Sequence, residues 1–374
     1  MCHVSFFYYE EENTMKLKRI LALVLGAVMV LSLAACASTP KTEETTAPAT
    51  EATTEATTEA TTEATTEATT EATTEAPKSS TKMTMGTGGS AGTYYAYGNI
   101  LSRYMKDKAG VDVTVVSTDG SKANIQGIQA GDYQLATVQS DVMAYGWEGT
   151  RAFESAGKVD TFRVIAGLYA EAVQLITMDP EIKSVADLKG KTVSIGAPNS
   201  GVYFNAVDVL AAAGLTEDDI KPQYQSFADS TDALKDGKID AAFIVAGAPT
   251  PAITELCTTN SAYLVPIDGD VAAAMMEASP FYTVYTIPAG TYNGQTEDVN
   301  TVTVKATLIV DANASEDDVY NITKAIFDNA ADIAKEHGKG AELSIENATS
   351  GMTAPFHKGA AKYFAEQGVT VEAQ

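Results

Sequence analysis

Positive charge is scarce in this 374-residue chain: 25 Lys and Arg stand against 49 Asp and Glu, a formal net charge of −24. Neutralising nucleic-acid phosphates takes clustered Lys and Arg, so nucleic-acid binding is excluded as its main function. Arginine is rarest, with only Arg19, Arg103, Arg151 and Arg163. Cysteine is scarce too: Cys2, Cys36 and Cys257. No C-x-x-C pair exists, which removes zinc-ribbon and thioredoxin-like readings, and Cys257, alone in the globular part, has no disulfide partner there. It reads as a partly buried bystander. Long apolar runs are also missing. The longest, Ile20–Leu33, has about fourteen residues, short of the roughly twenty that span a bilayer.

That run belongs to an export signal. Residues 1–14 match no targeting segment and read as a non-native start extension, with translation opening at Met15. Lys16, Lys18 and Arg19 precede the apolar run, and Leu33-Ala34-Ala35-Cys36 closes it. Basic region, short apolar stretch and small residues before a cysteine form a lipoprotein signal over 15–35, with Cys36 the lipidated anchor. The expected location is the outer face of the cell membrane. Residues 36–82 follow as Thr, Glu, Ala, Ser and Pro, with a Thr-Thr-Glu-Ala repeat from Thr53 to Ala76. Apolar side chains larger than Ala are absent from most of this stretch, so burial cannot offset ordering entropy. Nine Glu and no Lys or Arg in 43–75 repel one another, and the segment reads as a disordered tether.

From Met83 about 290 residues remain, enough for two α/β lobes. Short β-type runs alternate with helical stretches, the pattern of an α/β protein with mainly parallel strands. Strands are expected at Phe162–Tyr169 and Val173–Met178 around a loop, and one helix at Glu316–His337. The segments beginning at Asn124 and Thr231 echo each other: helix, Gly-containing turn, acidic residue, apolar strand, loop. Two such lobes would present strand-end loops to a shared crevice, where open α/β sheets bind ligands.

Gly86-Thr-Gly-Gly-Ser-Ala-Gly92 is the strongest local feature, a turn between a strand and a helix that aims backbone N–H groups at one spot. It also fits two chemical patterns. Gly86-x-Gly88-x-x-Ala91 is a loose dinucleotide fingerprint with Asp119 as its acidic partner. Gly88-x-Ser90-x-Gly92 fits a hydrolase nucleophile elbow, which would need His337 or His357; a secreted serine hydrolase using Ser90 is therefore the alternative function. Gly190-Lys191-Thr192 lacks the leading glycine of a phosphate loop, because position 185 is Val. Ile195–Gly201 offers a second strand–loop–helix with Ser200 as a candidate N-cap. Gln139-Ser140-Asp141 ends an apolar strand and supplies uncharged donors. Glu171 is either the partner of a ligand ammonium or a solvated loop charge.

Together these motifs resemble one family. Gly86-Thr-Gly-Gly-x-x-Gly-Thr-Tyr-Tyr95, Gly120-Ser-x-x-Asn124, Gln139-Ser-Asp141, Leu168-Tyr-x-Glu171, Gly196-Ala-Pro-x-Ser-Gly201, Gly237-x-Ile-Asp-Ala241 and His357-x-Gly-Ala are similar to the TAXI (TRAP-associated extracytoplasmic immunogenic) solute receptors. The resemblance covers residues 83–370 and implies a type II periplasmic-binding-protein fold, two lobes joined by a hinge. Lobe 1 would combine about 83–178 with about 285–374, and lobe 2 would be about 179–284. It implies a monomeric receptor, not an enzyme, with no cofactor or metal, that delivers its ligand to a TRAP-type, ion-gradient-driven permease. Its ligand would be a glutamate-, glutamine- or 2-oxoglutarate-like acid. Carried over, the site would use Gly89, Thr93, Tyr94, Asn124, Gln139, Ser140, Tyr169, Glu171, Ser200, Gly201, Gly247, Ala248 and Pro249. Ala96 and Ala170 stand where the family has Pro, both near the presumed pocket. No arginine falls in these loops, so a carboxylate would rely on helix N-termini and neutral groups.

Overall fold

The computed structural model describes residues 81–374. The signal segment, Cys36 and the Thr-Glu-Ala repeat lie outside the described residues. The first α/β unit runs β1 (Thr81–Gly86), α1 (Thr93–Tyr104), β2 (Val111–Val116), α2 (Ser121–Ala130), β3 (Leu135–Gln139) and α3 (Ser140–Glu148). The long strand β4 (Phe162–Thr177) leads to a second unit: β5 (Thr192–Ser194), α4 (Gly201–Ala212), β6 (Lys221–Gln223), α5 (Phe227–Lys235) and β7 (Ala241–Ala246). Next come α6 (Pro251–Thr259), β8 (Tyr263–Val265), α7 (Gly269–Ala278), β9 (Thr283–Ile287) and β10 (Val299–Asp311). Four helices close the chain: α8 (Glu316–Phe327), α9 (Ala330–Glu336), α10 (Ile345–Thr349) and α11 (Lys358–Glu366).

The strands join in the order β2-β1-β3-β10-β4-β7-β5-β6, with β8 beside β4 and β9 beside β10. Read outward from the centre, each half repeats one plan. The sequence suggests mainly parallel pairing; the sheet is mixed. β1 pairs parallel with β2 and β3, and β5 with β6 and β7, whereas β10 and β4 run antiparallel to their neighbours. The reason is connectivity. β4 and β10 carry the chain across between the halves in opposite directions, so each enters the other half's sheet reversed.

These two strands also divide the core. Val164, Ile165, Ala166 and Leu168 of β4 pack with Leu308, Ile309 and Val310 of β10 in the first lobe. Val173 and Leu175 pack with Val302 and Val304 in the second. A third cluster, built on Ala242, Ile244, Ile253 and Leu256, covers the other face of the sheet in the second lobe. The crossing lies where Glu171 pairs with Val304. The loop expected between Tyr169 and Val173 is therefore absent. Ala170, Glu171 and Ala172 pair in register with Lys305, Val304 and Thr303, and this ladder holds a polar residue in mid-strand.

Local chemistry sets most boundaries. Ser200, Ser226, Ser315 and Ser344 cap α4, α5, α8 and α10 by accepting a first-turn N–H. Gly131, at φ 83°, ends α2 in a left-handed conformation open to glycine. The single helix expected over Glu316–His337 is two, α8 and α9. Asn329 Nδ2 donates to the Ala325 carbonyl (2.8 Å), and such side-chain competition with the backbone interrupts helices. Cys257 is buried on α6, with burial pushing its thiol up.

Candidate ligand-binding cleft

Five helices begin at one place. Their N-cap residues, Gly92 of α1, Gly120 of α2, Gln139 of α3, Ser200 of α4 and Ser226 of α5, all line a single cleft. α1–α3 belong to the first half and α4–α5 to the second, so the cleft lies between the lobes. Each helix start presents unpaired N–H groups and the positive end of a dipole. Among the described residues no Lys, Arg or His lines the cleft; the ionisable groups there are Asp119, Glu171 and the Tyr94 hydroxyl. The void is about 80 Å³. That is space for about half a dozen water-sized groups, too little for a dinucleotide.

Glu171 sits at the floor of this cleft, on the crossing strand, with 1% of its surface exposed. Its Oε2 accepts the Tyr94 hydroxyl at 2.6 Å. Burial pushes the carboxyl up to about 8, and the charge of Asp141 acts in the same direction. The Tyr94 hydrogen bond and the Lys339 ammonium pull the other way without prevailing. Tyr94 itself is raised well above the usual phenol range, by burial first and by Glu171 second. Near neutral pH Glu171 is therefore held largely protonated.

Polar contacts bridge the lobes on both sides of the cleft. On one side the Thr93 hydroxyl donates to the Gly247 carbonyl (2.8 Å), and Ala252 N donates to Ala91 O (3.0 Å). On the other, Asn205 of α4 donates to Asp141 Oδ2 (2.9 Å) and accepts from Gln139 Nε2 (2.9 Å). Arg151 donates to both carboxylate oxygens of Asp208 (3.0 and 2.6 Å) and to the Tyr145 hydroxyl (2.8 Å). Within the second lobe Tyr282 adds a hydrogen bond to Asp208 (2.8 Å).

Of the thirteen site residues expected from sequence, Gly89, Thr93, Tyr94, Gln139, Glu171, Ser200 and Gly201 line the cleft. The other six do not. Asn124 is buried behind the wall, donating to the carbonyls of Thr87 (2.6 Å) and Thr137 (2.7 Å), so it braces the turn after β1. Ser140 accepts from Lys305 N (3.2 Å) and fastens α3 to the crossing. Tyr169 shares the Glu171 face of β4 but is fully buried edge-on against Tyr97, which keeps it out of the cleft. Gly247 meets Thr93 as an inter-lobe contact, while Ala248 and Pro249, joined by a cis peptide bond, lie beyond it. Sequence reasoning missed Gln225, Ser226, Phe227, Val245 and Ala246. The internal echo held the signal: it aligns the α5–β7 segment with α2–β3, whose ends both reach the cleft.

Ser90 is exposed on the turn before α1, and no hydrogen bond joins it to a histidine among the described residues. His337 Nδ1 accepts from Lys339 N, and His357 Nδ1 from Gly359 N, so both rings are engaged elsewhere. Among the described residues no helix is long and apolar enough to cross a membrane, and no group of three His, Cys, Asp or Glu is placed to hold a metal.

Two lobes of repeated strand order, exchanged through β4 and β10 around a cleft of helix N-termini, make up the mixed α/β, type II periplasmic-binding-protein fold. The chain belongs to the NMT1-like family, whose model matches residues 85–368. Among solved structures it is similar to the alkanesulfonate-binding protein SsuA from Xanthomonas axonopodis pv. citri bound to MOPS. That match has 16% identity over 77% of this chain and 91% of the other, at a TM-score of 0.44. It is also similar to a putative L-cystine ABC transporter protein from Listeria monocytogenes, with 16% identity over 71% and 98% at a TM-score of 0.44. A third is the GluR0 ligand-binding core from Nostoc punctiforme in complex with L-glutamate, with 13% identity over 69% and 95% at 0.40.

Proposed function

We propose that this protein is an extracytoplasmic receptor that closes two lobes over a small amino acid and delivers it to a membrane permease. The carrying observation is the opposition within one cleft of five helix N-termini and a buried acid, with no basic side chain between them. N-terminal N–H groups suit a ligand carboxylate. Glu171 suits an ammonium group, which would draw the carboxyl into its ionised form. L-Glutamate or L-glutamine satisfies both ends, whereas 2-oxoglutarate leaves Glu171 without a cation. The thirteen residues expected from sequence divide accordingly: those lining the cleft contact the ligand, and those behind it hold its walls. Lobe 1 would take about 83–171 and 305–374 and lobe 2 about 172–304, because the core divides where β4 and β10 cross and not at the boundaries near 178 and 285 expected from sequence.

The TAXI-like motifs support a TRAP-type permease as the partner, and the L-A-A-C sequence supports an anchor at Cys36. Binding without catalysis fits the isolation of Ser90. The test is thermal denaturation against a panel of amino acids, dicarboxylic acids and esters. An amino acid should raise the melting temperature by several degrees without turnover, since ligand at about a hundred times its Kd adds about 2.7 kcal/mol. A larger shift with 2-oxoglutarate than with glutamate would overturn the Glu171 assignment. Ester turnover lost in Ser90→Ala would replace the receptor by a hydrolase.

A further inference from the structure

Three side chains, of which Gln139 lines the cleft and Asp141 and Asn205 lie behind it, form a line that passes from one lobe to the other and back. Asn205 Nδ2 donates to Asp141 Oδ2, and Asn205 Oδ1 accepts from Gln139 Nε2, both at 2.9 Å. An ionised carboxylate can only accept, so Asp141 dictates how the Asn205 amide lies, and Asn205 in turn dictates Gln139. The line ends at Gln139 Oε1, a buried acceptor with no partner, on a side chain 2% exposed in the cleft wall. Gly201 leaves the space for it, because a Cβ there would overlap that oxygen. A buried acceptor left unpaired is costly, so its partner is to be sought in what enters the cleft.

We propose that Asp141, Asn205 and Gln139 form a relay through which one proton sets the hydrogen-bonding sense of the cleft. With Asp141 ionised, Gln139 offers the ligand an acceptor. When a proton from solvent neutralises Asp141, its O–H donates to Asn205 Oδ1, both amides turn over, and Gln139 offers N–H donors instead. Asn205 Nδ2 also donates to the Tyr282 hydroxyl (2.8 Å), which after the inversion would turn its one proton from Asp208 to Asn205 Oδ1, leaving Asp208 held by Arg151.

The groups facing Asp141 favour such a switch in mild acid. Burial raises its carboxyl to about 6; the charge of Asp208 on α4 adds to this, while the Val142 backbone N–H and the Asn205 amide oppose it. Tyr282 before β9, Tyr145 on α3 and Glu171 on β4 complete its surroundings. Arg151 reaches it only through Asp208 and Tyr145, so no cation holds Asp141 ionised directly.

The relay is visible without ligand. In the full chain, the side-chain amide NMR signals of Gln139 and Asn205, assigned by their loss in Gln139→Met and Asn205→Ser, are followed from pH 4.5 to 7.5. They should titrate together with one midpoint near 6 and stop doing so in Asp141→Asn, whose melting temperature checks its folding. Signals that stay fixed in the native chain, or that titrate unchanged in Asp141→Asn, overturn the relay. A second arm rests on the receptor reading. L-Glutamine affinity, measured by calorimetry, should fall about tenfold more between pH 7 and 5 in the native chain than in Asp141→Asn. An amino acid that binds while the amides stay fixed removes the relay alone. Amides that titrate in a chain no amino acid binds remove the receptor alone.

Discussion

At the scale of a residue, Glu171 combines the binding role proposed for it with a stability cost. Its native carboxyl is held near 8 where an exposed glutamate has 4.5. Between those values the folded chain keeps a proton that the unfolded chain has released. Stability is therefore highest below the lower value and falls as pH rises, by up to about 1.4 kcal/mol per unit, until the native carboxyl ionises near 8. Asp141, raised from 3.8 to about 6, adds a slope of the same sign at lower pH. Glu171→Gln keeps an acceptor for Tyr94 and has no charge to bury. It should match the native chain at pH 5 and exceed it by about 2–4 kcal/mol at pH 8, in urea denaturation without ligand. Equal pH slopes in the two chains would mean that this carboxyl ionises freely. The same substitution should weaken amino-acid binding, so here stability and function oppose each other.

At the scale of an element, the cleft depends on how closely α4 approaches α3. Gly201 is the first residue of α4, and a methyl group there would displace Gln139. Gly201→Ala should leave each lobe folded, because parting the lobes relieves the clash, yet cut ligand affinity more than a hundredfold. A melting temperature within a few degrees of the native value, read beside calorimetry, checks both halves of that statement. Glycines at strand-to-helix turns were legible in the sequence, as were the paired helix–turn–strand units and seven of the residues that line the cleft. The continuity of β4 was not, because Ala170-Glu171-Ala172 has the polarity of a loop and only its pairing with β10 makes it strand. The break between α8 and α9 was equally hidden, since the apolar spacing runs on through it. Tyr169 and Asn124 read as ligand contacts for a related reason. Sequence shows that a polar group is present, but only packing shows whether it faces the cleft or the wall behind.

At the scale of the whole molecule, side-chain and backbone hydrogen bonds join the two lobes on both sides of the cleft. One of them runs through Arg151, which stands at φ 43° and places its guanidinium 5.0 Å from the Tyr145 ring centre while gripping Asp208. A left-handed backbone is unfavourable for arginine, so the loop holds this shape against its own preference and closure must offset the strain. The pair is partly exposed, its side chains retaining 36% and 20% of their accessible surface, and water screens it. Its worth is about 1 kcal/mol, enough to shift an open–closed balance about fivefold but too little to lock the lobes. Arg151→Ala should therefore enlarge the ligand-free radius of gyration in X-ray scattering, and a saturating amino acid should return it to the native value. Asp208→Ala should do the same, and the double variant should add little, since each removes one clasp. If both single variants scatter as the native chain does, β4 and β10 alone hold the lobes together, and the clasp is a consequence of closure.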